Sequence, residues 1–142
     1  LPLAGQVIKT IYIPGRLFSV NKATTYSVPN LFARNERAVC VFKTDIGPMC
    51  VIMVGAMIVA GIETVWGGQI GRSSGKRMIT ETDYSKHEPP IQLATGAEIG
   101  RFKLGSTAIV LYPPDTVDLN QKLETNCRIR MGQQIGIWNQ RE

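Results

Sequence analysis

The residues with the clearest potential for chemistry are Gly105 and Ser106, which are adjacent in the run EIGRFKLGST at residues 98–107. A serine hydroxyl can attack the carbonyl of the preceding residue only if the backbone bends into an unusual geometry. Glycine permits that geometry because it has no side chain. Such an attack would cut the chain from within, with Ser106 as the nucleophile. Gly-Ser-Thr is also typical of an ordinary turn, so the tripeptide alone decides nothing.

Two further runs support a chemical role for this serine. The first, VPNLFARNER, occupies residues 28–37, and the second, VGAMIVAGIETVWGG, occupies residues 54–68. In this order, and together with residues 98–107, they resemble the pyruvoyl-dependent phosphatidylserine decarboxylases of the bacterial and mitochondrial type. The resemblance covers nearly the whole chain. Its most distinctive details are the Asn35-Glu36-Arg37 triplet and Trp66 followed by two glycines.

The resemblance implies that Ser106 becomes a covalent cofactor. The ester formed by its attack would undergo β-elimination, which releases a chain ending at Gly105 and leaves dehydroalanine. Loss of ammonia to water would then give a pyruvoyl group. A Schiff base between this group and phosphatidylserine would accept the electrons released with carbon dioxide, yielding phosphatidylethanolamine. The sequence contains no phosphate-binding loop or recognisable cofactor lysine, so no pyridoxal phosphate is expected.

Two alternative functions remain open at the level of sequence. One is a soluble pyruvoyl decarboxylase of a free amino acid, although residues 28–37 and 54–68 match the lipid enzyme. The other is a non-catalytic β-rich binding or carrier module in which Ser106 is only a turn residue. A lipoyl-type carrier would need a lysine displayed on a tight hairpin, and the sequence places no lysine convincingly in such a hairpin.

Length and composition predict one globular unit with a basic surface. A chain of 142 residues is long enough for one domain, so residues 1–142 are predicted to form a single catalytic core. After cleavage, residues 1–105 would belong to the large chain and residues 106–142 would form the small, pyruvoyl-bearing chain. The net charge of +5 fits an anionic partner, but the basic residues are scattered and no nucleic-acid motif accompanies them.

The resemblance also implies partners and a location. We expect phosphatidylserine as substrate, an anionic membrane surface, and a peripheral position at the cytoplasmic face of a bacterial inner membrane, and a homodimer is left open. The family's histidine and aspartate for self-cleavage, and a histidine for decarboxylation, lie upstream of the segment that matches Leu1. A further N-terminal part of the chain is therefore an expected partner, and this segment is expected to be inactive alone.

The other reactive side chains are predicted to have structural roles. His87 has polar neighbours and is followed by Pro89 and Pro90, which favours an exposed loop. One histidine and three unpaired cysteines do not form a zinc site of familiar spacing, so no metal is expected, and the cysteines are predicted to be buried thiols in a reducing compartment. The carboxylates nearest the family runs, which are expected to be surface or cap residues, are Asp45, Glu63 and Glu98. Phe102 and Lys103 are expected neighbours of the cleavage turn.

Short β-rich segments separated by turn residues predict an all-β fold, a sandwich or flattened barrel with little helix. The uncharged stretch at residues 46–62 is interrupted by glycine and proline, which favours buried strands over a membrane helix. Residues 69–90 are predicted to be irregular. Residues 115–124 are ambiguous, and Asp118 could cap a single helical turn. The predicted strands lie at residues 7–13, 38–44, 49–54, 58–66, 107–111, 128–131 and 135–138.

Overall fold

The fold is dominated by antiparallel β-structure. We describe it from a computed structural model, which describes residues 1–57, 61–71, 78–102 and 107–139. The strands and helices, in chain order, are β1 Gly5–Ile13, α1 Lys22–Ser27, α2 Leu31–Arg34, β2 Arg37–Thr44, β3 Gly47–Val54, β4 Ile62–Thr64, β5 Gly68–Ile70, β6 Thr80–Asp83, β7 Gln92–Leu93, β8 Gly100–Phe102, β9 Thr107–Leu111, β10 Val117–Leu119 and β11 Gly136–Trp138.

The main sheet has the strand order β6-β1-β2-β3-β9, and β7 also pairs with β1. Its centre is the β2–β3 hairpin, in which Arg37 pairs with Val54 at one end and Thr44 pairs with Gly47 at the other. Gly47 has a φ of +107°, a conformation that favours glycine, and it closes the turn. Strand β9 forms an edge of this sheet and pairs antiparallel with β3.

A second sheet, with the order β5-β4-β8, packs on one face of the main sheet. The Trp66 ring meets Phe42 edge-on at a centroid distance of 5.7 Å, and its indole N–H donates to Thr10 Oγ1 at 3.1 Å. At Gly100 the strands approach so closely that a Cβ would lie 2.2 Å from the Glu63 carbonyl oxygen. The buried cluster between the sheets consists of Val7, Ala38, Cys40, Phe42, Met49, Val51, Met53 and Ile62.

The prediction of an all-β fold with little helix is confirmed. Three separate antiparallel sheets account for the strands, and the described strands do not close into a barrel. The strands predicted at residues 7–13, 38–44, 49–54 and 107–111 agree with β1, β2, β3 and β9 to within two residues. The strand predicted at residues 135–138 corresponds to β11, and the one at 58–66 is reduced to β4, with residues 58–60 outside the described part.

Three local predictions are wrong. Residues 128–131 form no strand, because Ile129 and Met131 face solvent and pack against no sheet. Residues 69–90 are not irregular throughout, because they contain most of β5, which pairs with the nearby β4, and all of β6, which pairs with the distant β1. Asp118 caps no helical turn, because it belongs to β10 and pairs with Ile137.

The two short helices were not predicted from the sequence. Helix α1 begins at a capping box in which the Asn21 side chain accepts from the Thr24 N–H and the Thr24 hydroxyl accepts from the Asn21 N–H, each at 3.0 Å. Neither helix is long enough to show helical periodicity. No helix of the described residues has the length and apolar character needed to cross a membrane.

Candidate active site at the start of strand β9

The predicted site residues Gly105 and Ser106 lie outside the residues that the structure describes, and so does Lys103. Their described neighbours are Phe102, the last residue of β8, and Thr107, the first residue of β9. Phe102 pairs with Ile62 in the second sheet, whereas Thr107 pairs with Val54 in the main sheet. Residues 103–106 therefore connect two strands that belong to different sheets.

A buried asparagine holds the backbone beside Thr107. Asn35 has no exposed surface, and its Nδ2 donates to the carbonyls of Phe18 at 2.9 Å and Gly55 at 3.0 Å. Its Oδ1 accepts from the Phe18 N–H at 2.8 Å. Gly55 directly follows Val54, the residue that pairs with Thr107. Asn35 thus fixes the end of β3 at the point where β9 begins.

Glu36 completes the same cluster. Its carboxylate is buried, with 5% of the residue exposed, and accepts from the Tyr12 hydroxyl at 3.1 Å. Its carbonyl accepts from the Gly55 N–H at 2.8 Å. A Cβ on Gly55 would lie 2.9 Å from Glu36 Cγ, so a larger residue at position 55 would displace the carboxylate. An ionisable group and a hydroxyl therefore lie together at this end of the main sheet.

Arg37 stabilises the preceding turn of chain. Its guanidinium donates to the carbonyls of Ala33 at 2.8 Å and Asn35 at 2.9 Å, at the C-terminal end of α2. A cation is favourable there because the last carbonyls of a helix carry partial negative charge. The triplet of residues 35–37 is therefore a structural clamp. The sequence identified the triplet as distinctive but gave it no role. It gave no indication of a role for Tyr12 either, because the partner Glu36 is 24 residues away and directly precedes β2.

The remaining predicted residues lie away from this cluster. His87 is exposed, as predicted, and its Nδ1 lies 2.8 Å from the Pro89 carbonyl oxygen. Asp45 and Glu98 are exposed, and Glu98 forms an ion pair with Arg101 at 2.8 Å. Glu63 is half-buried in β4. His87, Asp45 and Glu98 are at the surface as expected, whereas Glu63 is a half-buried strand residue and not a surface or cap residue.

The prediction of three buried cysteines is only partly right. Cys40 is buried, but Cys50 is half-buried and Cys127 is exposed, because residue 127 lies in a turn that contributes nothing to the core. Burial raises the pKa of the Cys40 thiol to about 12, so this sulfur stays protonated and unreactive. Among the described residues, no three His, Cys, Asp or Glu side chains come together in a way that could hold a metal ion.

Two clefts lie at different distances from the start of β9. A cleft of about 250 Å³ lies along β4 and β8 and is lined by Glu63, Thr64 and Arg101 among others. A cleft of about 530 Å³ lies between the β2–β3 turn and Pro113, Thr116 and Trp138. The second cleft is at the far end of β9, because Thr107 and Leu111 alone are about 14 Å apart in an extended strand. The smaller cleft is therefore the one beside the strand that precedes the Gly105–Ser106 bond.

Comparison with known proteins identifies the family. The sequence profile described as phosphatidylserine decarboxylase matches residues 1–137. A phosphatidylserine decarboxylase proenzyme of Ectopseudomonas mendocina is 54% identical over 137 residues, which is 96% of this chain and 47% of that protein. Proteins of the same name from Pseudomonas aeruginosa and Pseudomonas entomophila are 52% and 51% identical over 138 residues, with the same coverage. This chain spans about half the length of the curated relatives it matches, and it belongs to the phosphatidylserine decarboxylase family.

Proposed function

We propose that this chain forms the pyruvoyl-bearing part of an enzyme that decarboxylates phosphatidylserine to phosphatidylethanolamine. Family membership over residues 1–137 carries the proposal. The proenzyme name of the relatives fits processing of a precursor chain. Membership does not favour the two alternatives raised by the sequence, a decarboxylase of a free amino acid and a non-catalytic binding module.

The chemistry of the chain's own residues begins at Ser106. Its hydroxyl attacks the carbonyl carbon of Gly105, the peptide C–N bond breaks, and an ester joins the two residues. Removal of the Ser106 α-proton then breaks the Cβ–O bond of the ester, so that one chain ends at the Gly105 carboxylate and the other begins with dehydroalanine at residue 106. Water converts this terminus to a pyruvoyl group and releases ammonia. Glycine at position 105 leaves room for the bent backbone that this attack requires. The proposed base for the Ser106 proton belongs to the further N-terminal part that the family resemblance implies.

The sheet can retain the new chain after cleavage. Residues Thr107 to Leu111 all pair with β3, from Val54 to Cys50, and these pairs do not depend on the broken bond. Residue 106 directly precedes Thr107 in the sequence, and Thr107 pairs with Val54, the neighbour of Gly55 in the Asn35–Glu36 cluster. The described residues therefore fit a covalent group at this terminus, because a short, ordered attachment is all that it requires. A pyruvoyl group supplies an electrophilic ketone, the role that pyridoxal phosphate has in other decarboxylases.

Charge supports a lipid surface as the working environment. The net charge of +5 attracts anionic phospholipids, the class to which the proposed substrate phosphatidylserine belongs. We therefore place the enzyme at a membrane surface, and by family resemblance at the cytoplasmic face of the bacterial inner membrane. Phosphatidylserine, the anionic surface and the further N-terminal part of the chain are its proposed partners.

The test uses a chimera in which residues 1–137 of this chain replace the matching part of the Ectopseudomonas mendocina relative. We call this protein the full-length chimera. Denaturing mass spectrometry should find two chains that meet at the Gly105–Ser106 bond, with the smaller chain lacking a free amino group. Purified chimera should release carbon dioxide from phosphatidylserine and not from free serine.

The decisive variant is Ser106→Ala, which has no hydroxyl to attack or eliminate. It should remain one chain and lose activity. Ser27→Ala removes an exposed helical hydroxyl that donates only to the Ala23 carbonyl, so it should cleave and react normally. Two chains in Ser106→Ala, or release of carbon dioxide by that variant, would refute the proposal.

A further inference from the structure

The main sheet has an apolar side that the hydrophobic core does not use. Strand register places seven side chains of β1, β2, β3 and β9 in two neighbouring rows on the side opposite Phe42 and Met53. We call these seven residues the outer face. One row contains Ile11, Val39, Ile52 and Ile109, and the next contains Val41, Cys50 and Leu111.

The outer face is partly open to solvent in the described part of the chain. Six of its residues are half-buried, and Leu111 is 51% exposed. None of the seven belongs to the buried cluster or to the described apolar residues that pack against it. An antiparallel sheet with one solvated side normally alternates apolar and polar residues, whereas strands covered on both sides are apolar throughout. The composition of the outer face is that of a covered surface.

Charged groups lie beside this apolar centre. Lys9 points to the same side of β1 and forms an ion pair with Glu81 at 2.5 Å, with both side chains partly exposed. Arg37 occupies the same side of β2 and is tied to the carbonyls of Ala33 and Asn35. An apolar centre with a polar rim is the usual anatomy of a surface that receives another protein segment.

The size of the outer face favours one kind of occupant. Four strands at about 4.8 Å spacing and two rows about 6.8 Å apart cover roughly 260 Å². A stable dimer usually buries about 800 Å² on each partner, so this face is too small to hold two copies together by itself. A segment of the same polypeptide needs no such area, because it does not lose the freedom of an independent molecule on docking.

We propose that the outer face is the docking surface for the part of the polypeptide that the relatives have beyond the matched residues. More than half of each relative lies outside the match, because the match covers only 47% of its length. The docked segment presents apolar side chains to the row that contains Ile11, Val39, Ile52 and Ile109. This inference rests on family membership and the sheet, and not on pyruvoyl chemistry, so it can fail or succeed independently of Ser106.

Thiol labelling in the full-length chimera tests the inference. Leu111→Cys places a thiol on the outer face, and Leu119→Cys places one at a similarly exposed leucine of β10, which is 62% exposed. The native Cys50 reports on the same face, while Cys127 is an exposed reference. Trypsin cleaves after Lys43 and so separates the Cys40 and Cys50 peptides, which allows mass spectrometry to follow each thiol.

Docking predicts that Leu111→Cys and Cys50 react with maleimide about tenfold or more slowly than Leu119→Cys and Cys127, because labelling must wait for local opening. The protection should not change on dilution. A short cross-linker from Leu111→Cys should reach peptides of the relative-derived segment in the same molecule. This result should hold equally in the Ser106→Ala background, where cleavage does not occur.

Three results would overturn the inference. One is labelling of Leu111→Cys as fast as that of Leu119→Cys. Another is protection that disappears on dilution, with cross-links between isotopically distinct copies, which would assign the face to a dimer. The third is protection that appears only with vesicles of phosphatidylglycerol and phosphatidylethanolamine, which would assign it to the membrane.

Discussion

Replacing Asn35 by alanine tests whether the cluster beside β9 is a clamp for the cleavage site. The substitution removes three hydrogen bonds, two to Phe18 and one to the Gly55 carbonyl. Each bond contributes about 1 kcal/mol net, and a buried partner left unsatisfied costs about 1–3 kcal/mol. The Gly55 bond is the buried one of the three, so we expect a loss of about 3–5 kcal/mol in the free energy of unfolding.

The assay is urea unfolding of the full-length chimera in the Ser106→Ala background, so that every variant is a single chain. Asn120→Ala is the matched control, because the exposed Asn120 side chain accepts one bond, from the Lys122 N–H at 3.0 Å. That control should lose about 1 kcal/mol or less. The variants should share one slope of free energy against urea, and the midpoint of Asn35→Ala should fall clearly below that of Asn120→Ala.

Cleavage separates a local role from a general loss of stability. In the background with Ser106, Asn35→Ala should slow scission because Gly55, and with it the partner of Thr107, loses its anchor. Leu31→Ala leaves a cavity at a buried position of α2 and should lower the free energy of unfolding by a comparable ~2–5 kcal/mol, while the hydrogen bonds of Gly55 stay in place. If Asn35→Ala cleaves as fast as Leu31→Ala, or is as stable as Asn120→Ala, the clamp is not what holds the site.

Three further predictions concern the cofactor, the lipid surface and the core. Hydroxylamine should inactivate the cleaved chimera because its amine captures a chain-terminal ketone, and added pyridoxal phosphate should not change the activity. Activity that requires pyridoxal phosphate would contradict the proposed pyruvoyl cofactor. Binding to phosphatidylglycerol vesicles should weaken as salt rises, because screening shortens electrostatic reach to about 8 Å near physiological ionic strength; equal binding to neutral vesicles at low salt would contradict the charge argument. Burial raises the pKa of the Cys40 thiol from 9.0 to about 12, so the thiol ionises at a lower pH in the unfolded chain than in the folded one. Its contribution to stability is therefore complete below pH 9 and is lost as pH rises from 9 towards 12. Unfolding free energy should therefore fall more steeply above pH 9 in the parent than in Cys40→Ala, and equal slopes would show that the thiol is not shielded.

The sequence predicted long strands well and short elements poorly. Strands such as β2 and β3 carry β-formers along their whole length, and their hairpin partner is close in sequence. Strand β6 has four exposed residues, TETD, and forms only because β1 offers a free edge. No local pattern announces such a strand. The reverse error occurred at residues 128–131, where apolar side chains suggested a strand but no neighbouring strand pairs with them.

The same distinction applies to the candidate site. Gly105 and Ser106 could be proposed from the sequence because residues 98–107 and two other runs resemble the family, although adjacent glycine and serine alone are typical of a turn. Both residues lie outside the described part of the chain, so their role stays a prediction. The contact between Tyr12 and Glu36 could not be predicted, because it joins residues whose proximity depends on the packing of β1 against β2. The outer face could have been suspected from the sequence, since β2 and β3 lack polar alternation, but only the register shows which residues share a side.

The three sequence runs that resemble the family meet in space. Residues 28–37 contact residues 54–68 through the hydrogen bond between Asn35 and Gly55. Residues 54–68 contact residues 98–107 in both sheets, by pairs that include Val54 with Thr107 in the main sheet and Ile62 with Phe102 in the second sheet. Residues 103–106 lie between the last two contacts in the sequence. The same motifs that identify the family therefore hold both ends of the segment that contains the proposed cleavage bond, which explains why irregular runs so far apart are distinctive together. A change in any one of them is expected to act on the geometry at Ser106 without touching that residue.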